Sequence, residues 1–179
     1  LVEGKMTPHA PDIAGSPGHT VSMDDNQGPE DRVEMSLISL EEGNALRDLV
    51  LRSPNKTWHD LHKGTSWHFH VGAFIAKDLV ATASFALDSP MTLVASSGAR
   101  SVWRLRAMAT HPNYQGKGIG RRVVDFGLQE VTRRGGGVVW CEGRVSAISF
   151  YEHCGFHSLG RVFHNPTTGP HVALVKPLV

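Results

Sequence analysis

The sequence predicts an α+β fold, a mixed α/β sheet with helices on its faces, and three observations carry that expectation. Seven strand-like runs are mixed with a few helical segments instead of alternating strictly with them. A glycine-rich turn, Gln115-Gly116-Lys117-Gly118-Ile119-Gly120, joins the most regular strand to the longest amphipathic helix. The chain ends on two strands joined by the turn Asn165-Pro166-Thr167-Thr168-Gly169-Pro170. With 179 residues, 40% of them hydrophobic, one domain can bury a sizeable core.

The elements follow in order from Val33. A strand is expected over 34–39, a helix over 40–52 and a short irregular or helical piece over 56–64. Two strands, 66–76 and 79–87, are split by Lys77-Asp78, a plausible hairpin turn without the usual glycine. A loop over 88–100, carrying Pro90, Ser96, Ser97 and Gly98, leads to the fourth strand. That strand, Ser101 to Thr110, alternates larger and smaller side chains and stops at Pro112. In the following helix, 118–134, Ile119, Val123, Phe126 and Val131 recur at helical spacing, and Gly135 to Gly137 end it. A strand over 137–142, a helix over 145–154 and strands over 156–164 and 171–177 complete the domain.

The glycine turn is the main functional signal. Three glycines within five residues let backbone N–H groups converge and let a ligand approach the main chain. The helix that starts there offers unpaired amides and the positive end of its dipole to a pyrophosphate, with Lys117 and Arg121 adding charge. A strand-to-helix turn with no ligand is the alternative reading. The turn lacks the Gly-Lys-Ser/Thr ending of a P-loop, and no acidic residue follows at dinucleotide spacing.

The form Gln-x-x-Gly-x-Gly, here Gln115, Gly118 and Gly120, resembles the acetyl-CoA pyrophosphate loop of the GCN5-related N-acetyltransferase (GNAT) family. A second stretch, Ala147-Ile148-Ser149-Phe150-Tyr151-Glu152-His153-Cys154-Gly155-Phe156, is similar to the family's Ala-x-x-Phe-Tyr-x-x-x-Gly-Phe. Cys141-Glu142-Gly143-Arg144 and Gly169-Pro170-His171-Val172 resemble a small bacterial-type subgroup of unassigned substrate. The resemblance covers roughly 34–179 and implies a mostly antiparallel sheet of six to seven strands with about four helices, whose fourth and fifth strands splay apart. It implies an acetyl-CoA-dependent N-acetyltransferase acting by direct transfer to a primary amine, with acetyl-CoA or another acyl-CoA as co-substrate. Non-catalytic acyl-CoA sensing, or acyl-CoA hydrolysis or decarboxylation on the same fold, are the alternatives.

By the same resemblance, the backbone of Met108, Ala109 and Thr110 holds the pantetheine arm and polarises the thioester. Gln115, Gly116, Lys117, Gly118, Ile119, Gly120 and Arg121 hold the pyrophosphate. Tyr151 matches the position that protonates the departing thiolate, a suitable task for a phenol. The glutamate that often serves as base on the fourth strand is replaced by Arg104. Candidates for that role are Glu142, His70, His68 and His171, since a neutral imidazole suits it. Arg104 and Arg106 share a strand face and could meet an anionic substrate. Arg144 stands where the family commonly has asparagine.

His59 and His62, at helical spacing, and His68 and His70, on one strand face, raise the question of zinc, but no further ligand completes a known signature and no metal is expected. Trp58, Trp67 and Trp103 are expected to pack the core or line the acceptor pocket. With 18 basic and 17 acidic residues, nothing favours nucleic acid or a membrane surface as partner. No apolar run is long enough to span a bilayer. Cys141 and Cys154 are expected to be reduced packing residues of a cytoplasmic protein. A small-molecule amine is the expected acceptor, and a homodimer is compatible with the resemblance. Residues 1–33, rich in Pro, Gly, Asp, Ser and His, are expected to form a flexible tail. Leu1 to Lys5 read as an expression remnant, with Met6 or Met35 as the natural start.

Overall fold

A computed structural model of the chain describes residues 21–22, 32–51, 58–65, 67–88 and 101–178. The expectations of a loop over 89–100 and of a tail over 1–20 and 23–31 lie outside the described residues. Val21–Ser22 (β1) pairs with β2 (Val33–Ile38). After it come α1 (Asn44–Leu51), β3 (His68–Ile75), β4 (Asp78–Leu87) and β5 (Val102–Thr110). Then come α2 (Ile119–Arg133), β6 (Val138–Arg144), α3 (Ile148–His153), β7 (His157–Asn165) and β8 (Gly169–Pro177). The strands form one sheet in the order β1-β2-β3-β4-β5-β6-β8-β7. Every pair is antiparallel except β5–β6, which the α2 crossover makes parallel.

Local chemistry accounts for the boundaries. Ser39 and Glu42 form a capping box, with Ser39 N–H donating to Glu42 Oε2 at 2.6 Å and Glu42 N–H donating to Ser39 Oγ at 3.2 Å. The expected helix over 40–52 therefore begins as the 3-10 turn Glu41–Gly43 and becomes α-helical at Asn44. The expected piece over 56–64 is the 3-10 turn Trp58–His62. Between β3 and β4 the two turn residues are Ala76 and Lys77, both at positive φ, so the turn falls one residue before the Lys77-Asp78 pair.

Strand alternation sorts the helices onto opposite faces of the sheet. Thr82 and Ser84 of β4 are buried beneath α1, where Arg47 reaches both. Phe85 points the other way, under α2. A Cβ at Gly127 of α2 would lie 2.0 Å from Phe85 Cε2, so only glycine lets the helix come this close to the strand. The main core sits on that α2 face: Val71, Ala83, Phe85, Leu105, Val123, Val124 and Val131 are each at most 2% exposed. Among the described residues, no helix is long and apolar enough to cross a membrane.

Candidate active site

Two irregularities in β5 open the sheet. Its ladder with β6 runs for four rungs, Val102↔Val138 to Leu105↔Cys141, and then stops while both strands continue. Against β4 the register shifts between Thr82 and Ser84, where Ala107 and Met108 together face one residue. Ala107 has φ 49°, a left-handed conformation unusual for alanine, and marks a β-bulge that turns β5 away. The fourth and fifth strands of the sequence reading, here β5 and β6, thus part into a wedge.

At the open end of the wedge stands the glycine turn. Gln115 Nε2 donates to Thr110 O at 3.0 Å and closes the loop onto the end of β5. Gly118 caps α2 with φ 77°, and Gly116 has φ 74°. No atom lies within 4 Å of the Cβ position at either glycine, so the turn presents bare backbone to open space at a helix N-terminus. Ile119 is buried in the core and offers only its backbone to this turn. Lys117 Nζ lies 5.1 Å from the Tyr114 ring centroid, and Arg121 pairs with Asp125 at 3.6 Å.

A cavity of about 610 Å³ occupies the wedge on the α1 face. Of the sequence-predicted residues it brings together Met108, Gln115, Glu142, Arg144, Tyr151 and His171, with Arg104 and Arg106 on the β5 wall. Tyr151 is 8% exposed, burial holds its phenol above the usual range, and its hydroxyl has no hydrogen-bond partner among the described residues. His171 Nδ1 donates to Gly169 O at 2.9 Å, which leaves Nε2 as the acceptor, 3.3 Å from Thr168 Oγ1. In the neutral imidazole the Nε2 lone pair thus faces the Thr168 hydroxyl at the cavity wall.

Glu142 and His70 are placed less favourably for a base. Arg104 donates to Glu142 Oε2 at 2.5 Å and pairs with Asp88 at 3.4 Å, so the carboxylate of Glu142 is already engaged. Arg104 also stacks on Trp140, 4.3 Å from the ring centroid. His70 does not line the cavity. It is buried under α1 with Nδ1 2.9 Å from Ser84 Oγ, and burial, followed by the charge of Arg47, pushes it down to about 4. Beside it, burial and the neighbouring His70, His68, Arg106 and Arg47 push His62 down to about 3. The rings of His62, His68 and His70 lie 4.7 to 5.5 Å apart, with His62 and His68 stacked. Among the described residues, no group of three or more His, Cys, Asp or Glu is placed to hold a metal ion. Trp58 lines the cavity and Trp103 is in the core, whereas Trp67 is 39% exposed and does neither. Cys141 and Cys154 are both free and buried.

Two contributors escaped the sequence reading. Arg47 is fully buried and lowered to about 10 by desolvation; Nη1 and Nη2 donate to Leu40 O, Asn44 Oδ1, Thr82 Oγ1 and Ser84 Oγ at 2.7 to 3.4 Å, while Nε is buried without a partner among the described residues. It fastens α1 and hence the cavity wall formed by Val50 and Leu51. Its signal was a cation sharing a helical face with Val50 and Leu51, at i+3 and i+4. The second is the bulge at Ala107, which no glycine announced.

The family profile described as "Acetyltransferase (GNAT) family" matches residues 38–156. The N-acetyltransferase YitI of Bacillus subtilis (strain 168), itself uncharacterised, is 28% identical over 148 residues, 82% of this chain and 97% of the relative. Among solved structures, the ribosomal-protein-S18-alanine N-acetyltransferase from Escherichia coli superposes with a TM-score of 0.62 at 17% identity, over 81% of this chain and 93% of that one. An aminoglycoside 6'-N-acetyltransferase complexed with coenzyme A gives 0.63 at 14% identity, over 81% and 97%.

Proposed function

Because the chain belongs to the acetyltransferase (GNAT) family, we propose that it transfers an acetyl group from acetyl-CoA directly to the primary amine of a small acceptor. The observation that supports this most is the wedge between β5 and β6 with a bare glycine turn at its mouth. The residues present fit the nucleotide: the backbone of 116–120 and Lys117 suit a pyrophosphate, and the unpaired edge of β5 from Met108 to Thr110 suits the amide groups of a pantetheine arm. Acetyl-CoA supplies the activated thioester.

The roles of the side chains follow from their placement. A backbone N–H on the free edge of β5 polarises the acyl carbonyl. His171, oriented by its Nδ1–H bond to Gly169 O, takes at Nε2 the proton that the amine loses as its N–C bond forms; the Thr168 hydroxyl turns from donor to acceptor as that proton arrives. Tyr151, kept protonated by burial, gives its proton to the sulfur as the C–S bond breaks. The proton gained at His171 and the one spent at Tyr151 balance and are restored through solvent. Cations on the cavity wall favour the neutral amine over its ammonium form, which eases the work of the base.

The test is the thermal midpoint with and without acetyl-CoA, followed by a thiol assay for CoA release across amines. Ligand at a hundredfold its Kd should add about 2.7 kcal/mol, which is a rise of roughly 5 to 11 °C for a chain of this size. No rise at millimolar acetyl-CoA would refute the proposal. Binding without release of CoA from any amine would point to a sensor.

A further inference from the structure

The charges on the cavity wall are unequal. Arg104 is answered by Asp88 and Glu142. Arg106 and Arg144 also line the cavity and have no carboxylate partner among the described residues. Arg106 is half-buried, and one of its nitrogens, Nη1, donates to Leu61 O at 2.6 Å. Its Nε and Nη2 are not sealed from the cavity, unlike Arg104 Nε, which is buried without a partner. Burial and the adjacent Arg104 disfavour the charge of Arg106, Asp88 and Glu142 compensate only in part, and a bound anion would offset the remaining cost.

Position adds a constraint on size. Arg106 is the first residue of β5 beyond the last rung shared with β6, so it stands at the apex of the wedge, next to the free edge along which the acyl group would lie. Its contact with Leu61 sets it against an apolar wall of Val50, Leu51, Trp58 and Leu61. The Trp58–His62 turn that carries half of this wall is pinned by Trp58 Nε1 donating to Asp48 Oδ1 at 2.6 Å. A ligand's anionic group, its reacting amine and its apolar body are therefore offered adjacent places.

Building on the acetyltransferase reading, we propose that the acceptor is a small amino acid with a free carboxylate and an apolar side chain, its carboxylate held by Arg106 and assisted by Arg144. The guanidinium fork matches a carboxylate and rejects its amide, which leaves the buried cation unanswered. Arg104 would not serve, because its charge is matched.

The experiment compares L-leucine, L-methionine and L-phenylalanine with their amides and with the corresponding decarboxylated amines. CoA release gives kcat and KM, and calorimetry on the protein saturated with CoA gives binding without turnover. The free acids are expected to exceed the amides in kcat/KM by at least about thirtyfold, the scale for truncating one partner of a buried charge pair. Arg106→Gln should remove most of that preference through KM. Arg144→Gln, a change at an exposed residue that cannot disturb the fold through packing, should remove a smaller part. Equal or better use of amides and amines overturns the proposal while leaving acetyl transfer intact. Acetylation of acidic peptide N-termini in place of free amino acids also overturns it. Failure of all amines to release CoA would remove the acetyltransferase reading instead; a calorimetric preference for free acid over amide would still support carboxylate recognition, and its absence would sink it.

Discussion

Acidification should weaken the fold through two buried imidazoles beneath α1. His62 and His70 have their pKa lowered from 6.5 to about 3 and about 4. His68, Arg47 and Arg106 surround them with further positive or protonatable groups, and only Glu41 acts on His70 in the opposite sense. A lowered pKa means that the unfolded chain binds more protons between about pH 4 and 6.5. Stability is thus complete above about pH 6.5 and is lost as the pH falls, by about 1.4 kcal/mol per pH unit for each histidine. From about pH 7.5 to about pH 5.5 each contributes a loss of about 1.4 kcal/mol, together about 2.7 kcal/mol, or roughly 5 to 11 °C in Tm. The assay is urea unfolding at both pH values for the wild type and for His70→Asn, whose amide can still meet Ser84 Oγ. The variant should lose about 1.4 kcal/mol less than the wild type on acidification. Identical losses in the two proteins would refute the assignment of the buried neutral state to His70.

Further expectations concern the close approach at α2, the turn and the cavity. Gly127→Ala places a methyl 2.0 Å from the Phe85 ring and should cost about 3 kcal/mol in chemical denaturation, with partial recovery in Phe85→Leu. Gly118→Ala, at φ 77° with open space around it, should cost about 1 kcal/mol by backbone strain alone. Gly118→Glu should additionally abolish the acetyl-CoA shift in Tm, and a normal shift in that variant would exclude the turn as a phosphate site. Tyr151→Phe should lower kcat by about a hundredfold with acetyl-CoA affinity unchanged, because it removes the buried, protonated hydroxyl and leaves the ring that packs against Phe150 and Phe156. His171→Gln should lower kcat as well, and unaltered turnover in either variant would remove that residue from the proposed chemistry.

Much of the framework was legible because it rests on local chemistry. The 3.6-residue spacing of Ile119, Val123, Phe126 and Val131 and the glycines around them delimit α2 to within a residue. Strand runs bounded by turn residues gave β3 through β8 with ends shifted by a few residues. The positions of the glycine turn at the end of β5 and of Tyr151 on the cavity wall were legible, because a linear motif carries each local geometry. It was not legible where function depends on long-range pairing. Glu142 reads as a free carboxylate until Arg104, 38 positions away, is folded against it. His70 looks like an exposed strand histidine until α1 covers it with Arg47. The bulge at Ala107 is imposed by the β4 register, since alanine has no intrinsic preference for positive φ. Reading His171 as the better-placed imidazole required its bonds to Gly169 and Thr168, both within three residues yet invisible without the turn's shape.

The four-rung ladder between β5 and β6 has a mechanical meaning. It divides the sheet into a larger leaf, β1 to β5, and a smaller one, β6 to β8, stitched together only near one end of the seam. Beyond Leu105 and Cys141, main-chain groups on each leaf face the gap without a strand to answer them. A molecule with amide groups laid along that gap would take the place of a missing strand, bonded to the main chain on either side. The stiffness of the join between the two leaves is then a property of the complex, set by whichever ligand fills the seam.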